Sequence, residues 1–250
     1  MNDTNPTPPP IPPYLPAPDS FNSPLGHDPA EQAHIDSIVG AVEAILRQPR
    51  RVMYQMRQPN AGTLISGLLI ITVVCSLLYG LVVGTFSGGD QLWAAPVKIA
   101  AGLLISALIC LPSLYIFSCL GGSRARLVEV FGLVAGLLAL MTVLLIGFAP
   151  VAWVFSQSTE SVVAMGALHL VFWLIAAYFG LRFLQAGFRH LDARTGGGLP
   201  IWIALFLLVM LQMTTALRPI VGPTEKSFLQ PEKKFFVSHW TDCARQKPDK

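Results

Sequence analysis

The chain has 250 residues, of which 53% are hydrophobic and only 12% charged, and its formal net charge is +3. A soluble domain averages about 25% charged residues, so this composition, with a mean hydropathy of +0.57, argues against a water-soluble fold. The small basic excess lies beside apolar runs rather than in a patch, which argues against a nucleic-acid partner.

Residues 1–27 read as a proline-rich tail. The run TPPPIPPYLPAP lacks many backbone N–H groups and has no periodic apolar face, so a disordered, polyproline-II-like spacer is expected. Its Pro10–Pro13 spacing has no nearby Arg or Lys to anchor an SH3 groove, and Ile11 spoils a PPxY motif at Tyr14.

Residues 28–58 read as cytosolic or interfacial amphipathic helices. Asp28 suits an N-cap, Pro29 the first helical position and Glu31 a capping box. Ile35, Ile38, Val39, Val42, Ile45 and Leu46 recur at helical spacing, which predicts one helix over about 29–48 docked by that stripe. Gln48-Pro49 ends it. Arg50, Arg51 and Arg57, interleaved with Val52, Met53 and Met56, fit the headgroup region of an anionic leaflet.

Residues 59–222 carry the apolar runs, which predict five transmembrane helices at about 64–86, 95–120, 127–155, 162–184 and 199–217. Twenty apolar residues cross a ~30 Å hydrocarbon core. The second run has no charge from Ile99 to Ser123. Pro112, with the small residues Gly102, Ser106, Ala107 and Ser113, predicts a bent helix at the centre of the bundle. Residues 223–250 form a C-terminal tail that mixes charges with Phe228, Phe235, Phe236 and Trp240.

Basic residues precede the first run and lie between the second and third and between the fourth and fifth; the other two connections have none. The positive-inside rule then places the N-terminus in the cytoplasm and the C-terminus outside. Lys226, Lys233 and Lys234 in the tail run against that pattern. Trp93, Trp153 and Trp202 fall near the expected interfaces. No cleavable signal peptide is expected, because no apolar core precedes residue 60.

Signatures of chemistry are sparse. Neither an HExxH helix nor a Walker loop occurs. Ser87-Gly88-Gly89-Asp90 approaches the GxGD of intramembrane aspartyl proteases, but it lacks the first glycine, and no second intramembrane Asp completes a pair. Leu64-Ile65-Ser66-Gly67 similarly misses a GxSG motif, and Ser66 and His169 lie at opposite depths. The four cysteines, Cys75, Cys110, Cys119 and Cys243, have no metal-site or disulfide spacing. No enzyme, cofactor or metal is expected.

One constellation stands out. Lys98, Arg218, Asp90, Glu160, His169 and Gln212 all fall in the outer half of the spans or the outer loops. Two readings stand: snorkelling side chains with interhelical hydrogen bonds, or an outward-facing polar pocket.

The run AAPVKIAAGLLISALICLPSLYIFSCLGG, with LLIGFAPVAWVFSQST, GLRFL and LQMTTALRPIVG, resembles a group of bacterial integral membrane proteins over about residues 60–222. The plan of a proline-rich cytosolic tail before five hydrophobic helices is similar to the Yip1-like membrane proteins. That resemblance implies a membrane-organising or partner-binding role in the bacterial inner membrane, and it carries no catalytic residues. The eukaryotic Yip1-like proteins bind lipidated GTPases, but no motif for that is present here. The expectation is therefore an all-α, polytopic membrane bundle of five transmembrane helices plus an N-terminal amphipathic helix. Its partners would be the lipid bilayer and another membrane protein or itself, with a small-solute or ion transporter as the alternative.

Overall fold

The computed structural model describes residues 24–87, 91–123, 125–159, 162–191 and 198–216. These fold into helices with no strand among them: α1 (Pro29–Gln32), α2 (Ile38–Arg47), α3 (Pro49–Gln55), α4 (Ala61–Ser87), α5 (Gln91–Leu120), α6 (Leu127–Ser158), α7 (Val162–His190) and α8 (Gly198–Ala216). Four of them, α4 to α7, are long and apolar enough to cross a membrane; α8 is apolar and shorter. Residues 1–23 of the proline-rich tail, the C-terminal tail, Asp90, Glu160 and Arg218 lie outside the described residues, whereas residues 24–27, expected in the disordered tail, are held in place by bonds of Pro24 and Gly26 to Arg50 and Glu31.

Polarity runs inward, as lipid demands. Ile70, Val74, Leu77, Leu78 and Leu81 on α4 face outward, as do Leu108, Ile109 and Ile116 on α5. The buried hydroxyls bond back to their own helices: Thr72 donates to the Leu68 carbonyl at 2.8 Å, Ser106 to Gly102 at 2.6 Å and Thr142 to Leu138 at 3.0 Å. A contiguous apolar exterior of this extent is a liability in water and the expected surface in a bilayer.

The centre of the bundle is α6, not α5. Within the bundle, 72% of the apolar stretch of α6 is buried, against 33% for α5. Gly132 to Thr142 is buried without interruption. Both α4 and α7 pack on α6, α5 packs on α4, and α8 packs on α5. Small residues make the difference. A side chain at Gly136 would meet the Phe183 ring at 2.6 Å, and one at Gly132 would meet Ile65 at 3.2 Å. Helices with such notches approach closely and gain dispersion contacts that lipid tails cannot supply. Helix α5 instead runs unbroken through Pro96 and Pro112 at the side of the bundle. It ends at Gly122, whose φ of +77° lets the chain turn back while Ser123 N–H reaches the Ser118 carbonyl at 3.1 Å.

The N-terminal region departs from a single helix over 29–48. It is split into α1 and α2 by residues 33–37. Asp28 caps Ala30 N–H at 2.9 Å, but α2 has its own cap, Ser37, which accepts from Gly40 N–H at 3.0 Å. Glu31 closes no capping box; its carboxylate turns to Gly26 N–H and Arg50. The break persists because other side chains take up the freed carbonyls. Arg51 donates to Ala33 and His34 at 2.8 and 2.7 Å, and Gln55 donates to Ala33 at 2.6 Å. In α2 the packed face is the small one, Ala41, Ala44 and Ile45, set against α3, α4 and α6. Ile35 and Val42 pack partly on the core, while Ile38, Val39 and Leu46 face outward.

Candidate functional site

Polar groups gather at two ends of the bundle. One end holds the start of α4, the end of α5, the start of α6 and the end of α7, and residues 24–57 form a cap there. Arg50 fastens the cap. Its Nε pairs with Glu31 Oε1, its Nη1 donates to His190 Nε2 at 3.4 Å, and its Nη2 donates to the Pro24 carbonyl at 3.3 Å. The other Glu31 oxygen accepts from Gly26 N–H at 2.6 Å. The two side chains are only 15% and 10% exposed, so this ion pair is largely shielded from water. Arg57 donates to the His190 carbonyl at 2.8 Å, and Ser123 donates to the Leu191 carbonyl at 3.0 Å. Both satisfy carbonyls that the end of a helix leaves open. Arg50, Arg51 and Arg57 thus each bond within the protein.

The opposite end holds a cluster inside the bundle. Tyr79 Oη on α4 and His169 Nδ1 on α7 are 2.8 Å apart, and the rings meet edge to face at 5.7 Å. Tyr79 is fully buried. It lies eight residues before the end of α4, and His169 seven residues after the start of α7, so both sit about 10–12 Å along their helices from the same end. His169 Nε2 is buried and has no partner among the described residues, so the pair retains a hydrogen-bonding position that those residues do not satisfy.

Lys98 is at the same level on α5, seven residues past Gln91, and only 5% exposed. Beside it α4 and α5 are nearly backbone to backbone, because a side chain at Gly80 would collide with the Pro96 backbone. Gln212 is half-buried on α8, four residues before that helix ends. Helix α8 is pinned to α5 by Trp202, whose indole N–H donates to the Cys110 carbonyl at 2.9 Å.

Of the polar residues singled out in the sequence, the structure joins His169 to Tyr79, a residue outside that set. A lone tyrosine in an apolar run gives no periodic signal. Its phenol, which needs a partner when buried, was the available clue. Glu31 and Arg50 are 19 residues apart, and no local pattern marks their pairing. No family model matches this chain, and neither a curated protein nor a solved structure matches it.

Proposed function

We propose that this chain is a five-span protein of the bacterial inner membrane, with a cytoplasmic N-terminus and an external C-terminus, that acts as a non-enzymatic interaction or membrane-organising protein. The observation that carries the reading is the fastened cap. Arg50 holds residues 24–57 against the bundle, so α2 presents Ile38, Val39 and Leu46 outward at a fixed height beside α4. Val39 is 77% exposed. A rigid apolar edge beside a lipid-facing helix suits lipid and a second membrane protein, or another copy of this chain, as its partner.

Three further features support the reading. The 19 residues of α8 rise about 28 Å, close to the hydrocarbon thickness. Arg57, Arg126 and Arg189 lie at the cap end, the arrangement that the positive-inside rule associates with the cytoplasm. The plan is also similar to that of the Yip1-like proteins.

The Tyr79–His169 pair, level with the buried Lys98, favours a second reading as a small-solute or ion transporter, since polar groups at that depth mark substrate paths in other bundles. Photo-crosslinking from probes at Val39 and Leu46 in native membranes tests the first reading. Adducts to one discrete protein are expected, whereas adducts to lipid alone would remove the partner. Solute uptake into proteoliposomes that is lost in Tyr79→Phe would place the transporter first. Single cysteines at Ser123 and Gly88 test orientation: an impermeant reagent in intact cells should label Gly88 and spare Ser123.

A further inference from the structure

A cavity of about 200 Å³ opens at the cap end, between the start of α2 and the first two turns of α4. Its lining mixes polar residues, among them Asp36, Gln55 and Asn60, with apolar ones, among them Ile38, Leu64 and Gly67. Such a lining matches an amphiphile. Its level matches too, because α4 begins at Ala61, which puts Leu64 and Gly67 at the border of headgroups and hydrocarbon on the membrane reading above.

The polar residues offer acceptors. Gln55 is only 6% exposed and spends its amide N–H on the Ala33 carbonyl at 2.6 Å, while nothing among the described residues donates to its Oε1. That oxygen keeps some contact with solvent and can accept from a donor in the cavity. Asp36 adds a carboxylate whose one partner among the described residues is His34, 3.4 Å away. The Arg51 guanidinium donates to the Ala33 and His34 carbonyls, and no Arg or Lys lines the cavity among the described residues. Donor-hungry, net-negative walls recognise an ammonium in preference to a phosphate.

A side chain added at Gly67 would meet nothing within 4 Å, so the surface of α4 beside the cavity is open there and leaves room for an acyl chain.

We propose that this cavity binds the primary-ammonium headgroup of an aminophospholipid of the phosphatidylethanolamine class. Its N–H groups donate to Asp36 and Gln55 Oε1, and its acyl chain lies over Leu64 and Gly67. A choline headgroup has no N–H and leaves Gln55 Oε1 unsatisfied. A glycerol headgroup has hydroxyl donors, but it brings no positive charge to meet the Asp36 carboxylate and leaves its own phosphate charge uncompensated. The site rests on the membrane reading but not on the identity of a protein partner.

The test uses the full-length chain, transferred to nanodiscs of equimolar dioleoyl phosphatidylethanolamine, phosphatidylcholine and phosphatidylglycerol, with retained lipid weighed by native mass spectrometry. Enrichment of phosphatidylethanolamine over phosphatidylcholine of about tenfold is expected, the weight of one charge-assisted hydrogen bond. Asp36→Asn should reduce it several-fold, with the charge gone and the shape kept. Gly67→Phe should abolish it by occupying the space beside Leu64 that the acyl chain would take, at a position where the added ring meets no protein atom and the fold is preserved. Free ethanolamine should not displace the lipid; if it does at low millimolar concentration, the amine alone is the ligand and the lipid site is overturned. Equal retention of the two lipids, or enrichment unchanged in both variants, also overturns it. A chain that fails to enter nanodiscs overturns the membrane reading and the site together, whereas one that enters and shows no preference overturns the site alone.

Discussion

Removing the Tyr79 hydroxyl leaves both ring nitrogens of His169 without a partner among the described residues. An orphaned buried group costs about 1–3 kcal/mol, whereas replacing both partners by apolar groups of similar shape is nearly neutral. Tyr79→Phe should therefore lower the melting temperature in detergent, and Tyr79→Phe combined with His169→Leu should recover most of the loss. A double variant as stable as the native chain but without transport or partner binding would assign the pair a function beyond packing. Arg50 is governed by a related asymmetry. Arg50→Ala strands the Glu31 carboxylate, and because the pair keeps a little solvent contact the cost should be about 2–3 kcal/mol, under the ~3–5 of a fully buried pair. Limited proteolysis should then cut within residues 24–57 far faster than in the native chain. Arg47→Ala is the control. Its i,i+4 pair with Glu43 at 3.4 Å is solvent-exposed, so its loss should shift stability by no more than about 0.5 kcal/mol.

Helix contacts depend on where side chains are absent. A methyl group at Gly80 would strike the Pro96 backbone, which cannot rotate away, whereas one at Gly147 meets nothing within 4 Å. Gly80→Ala should push α4 from α5 at about 1–3 kcal/mol. Gly147→Ala should be neutral or stabilise by up to about 1 kcal/mol through helix propensity. Thermal unfolding of the two variants side by side checks the contrast, and equal melting temperatures would contradict the close approach. The same glycines explain what could be read in advance. The long helices were legible because uncharged apolar runs of that length have few other solutions. The central helix was not, because an all-round apolar run faces lipid and protein with similar side chains. The available clue was Gly132 and Gly136, one helical turn apart, a small-xxx-small spacing that permits close contact. The split between α1 and α2 was hidden for a different reason. The apolar period ran through it, and the carbonyls it frees are satisfied by Arg51 and Gln55, 17 to 22 residues away. In the polar cluster, His169 was legible as an ion-forming residue in an apolar run. Its partner, Tyr79, was not.

The bundle is assembled as a chain of pairwise contacts in which α8 packs principally on α5. That has a consequence for biogenesis. By the time Leu191 leaves the ribosome, α4, α6 and α7 are all present and can bury the core of α6. Helix α8 arrives after that core and docks by one side, with the side chains of Trp202 and Phe206 buried and the Trp202 indole bonded to the Cys110 carbonyl of α5. A chain cut between Leu191 and Gly198 should therefore yield two pieces that find each other. Residues 1–191 made alone should insert and resist protease at the cap. Co-expressed residues 198–250 should co-purify with them, and Trp202→Ala should weaken that capture, since it removes the hydrogen bond to α5 and the buried indole. A first piece that is degraded unless the second is supplied would show that assembly waits for the final helix. As the structure is built, the last helix is a late addition to a bundle already closed around α6, and this molecule can be divided there as two cooperating polypeptides.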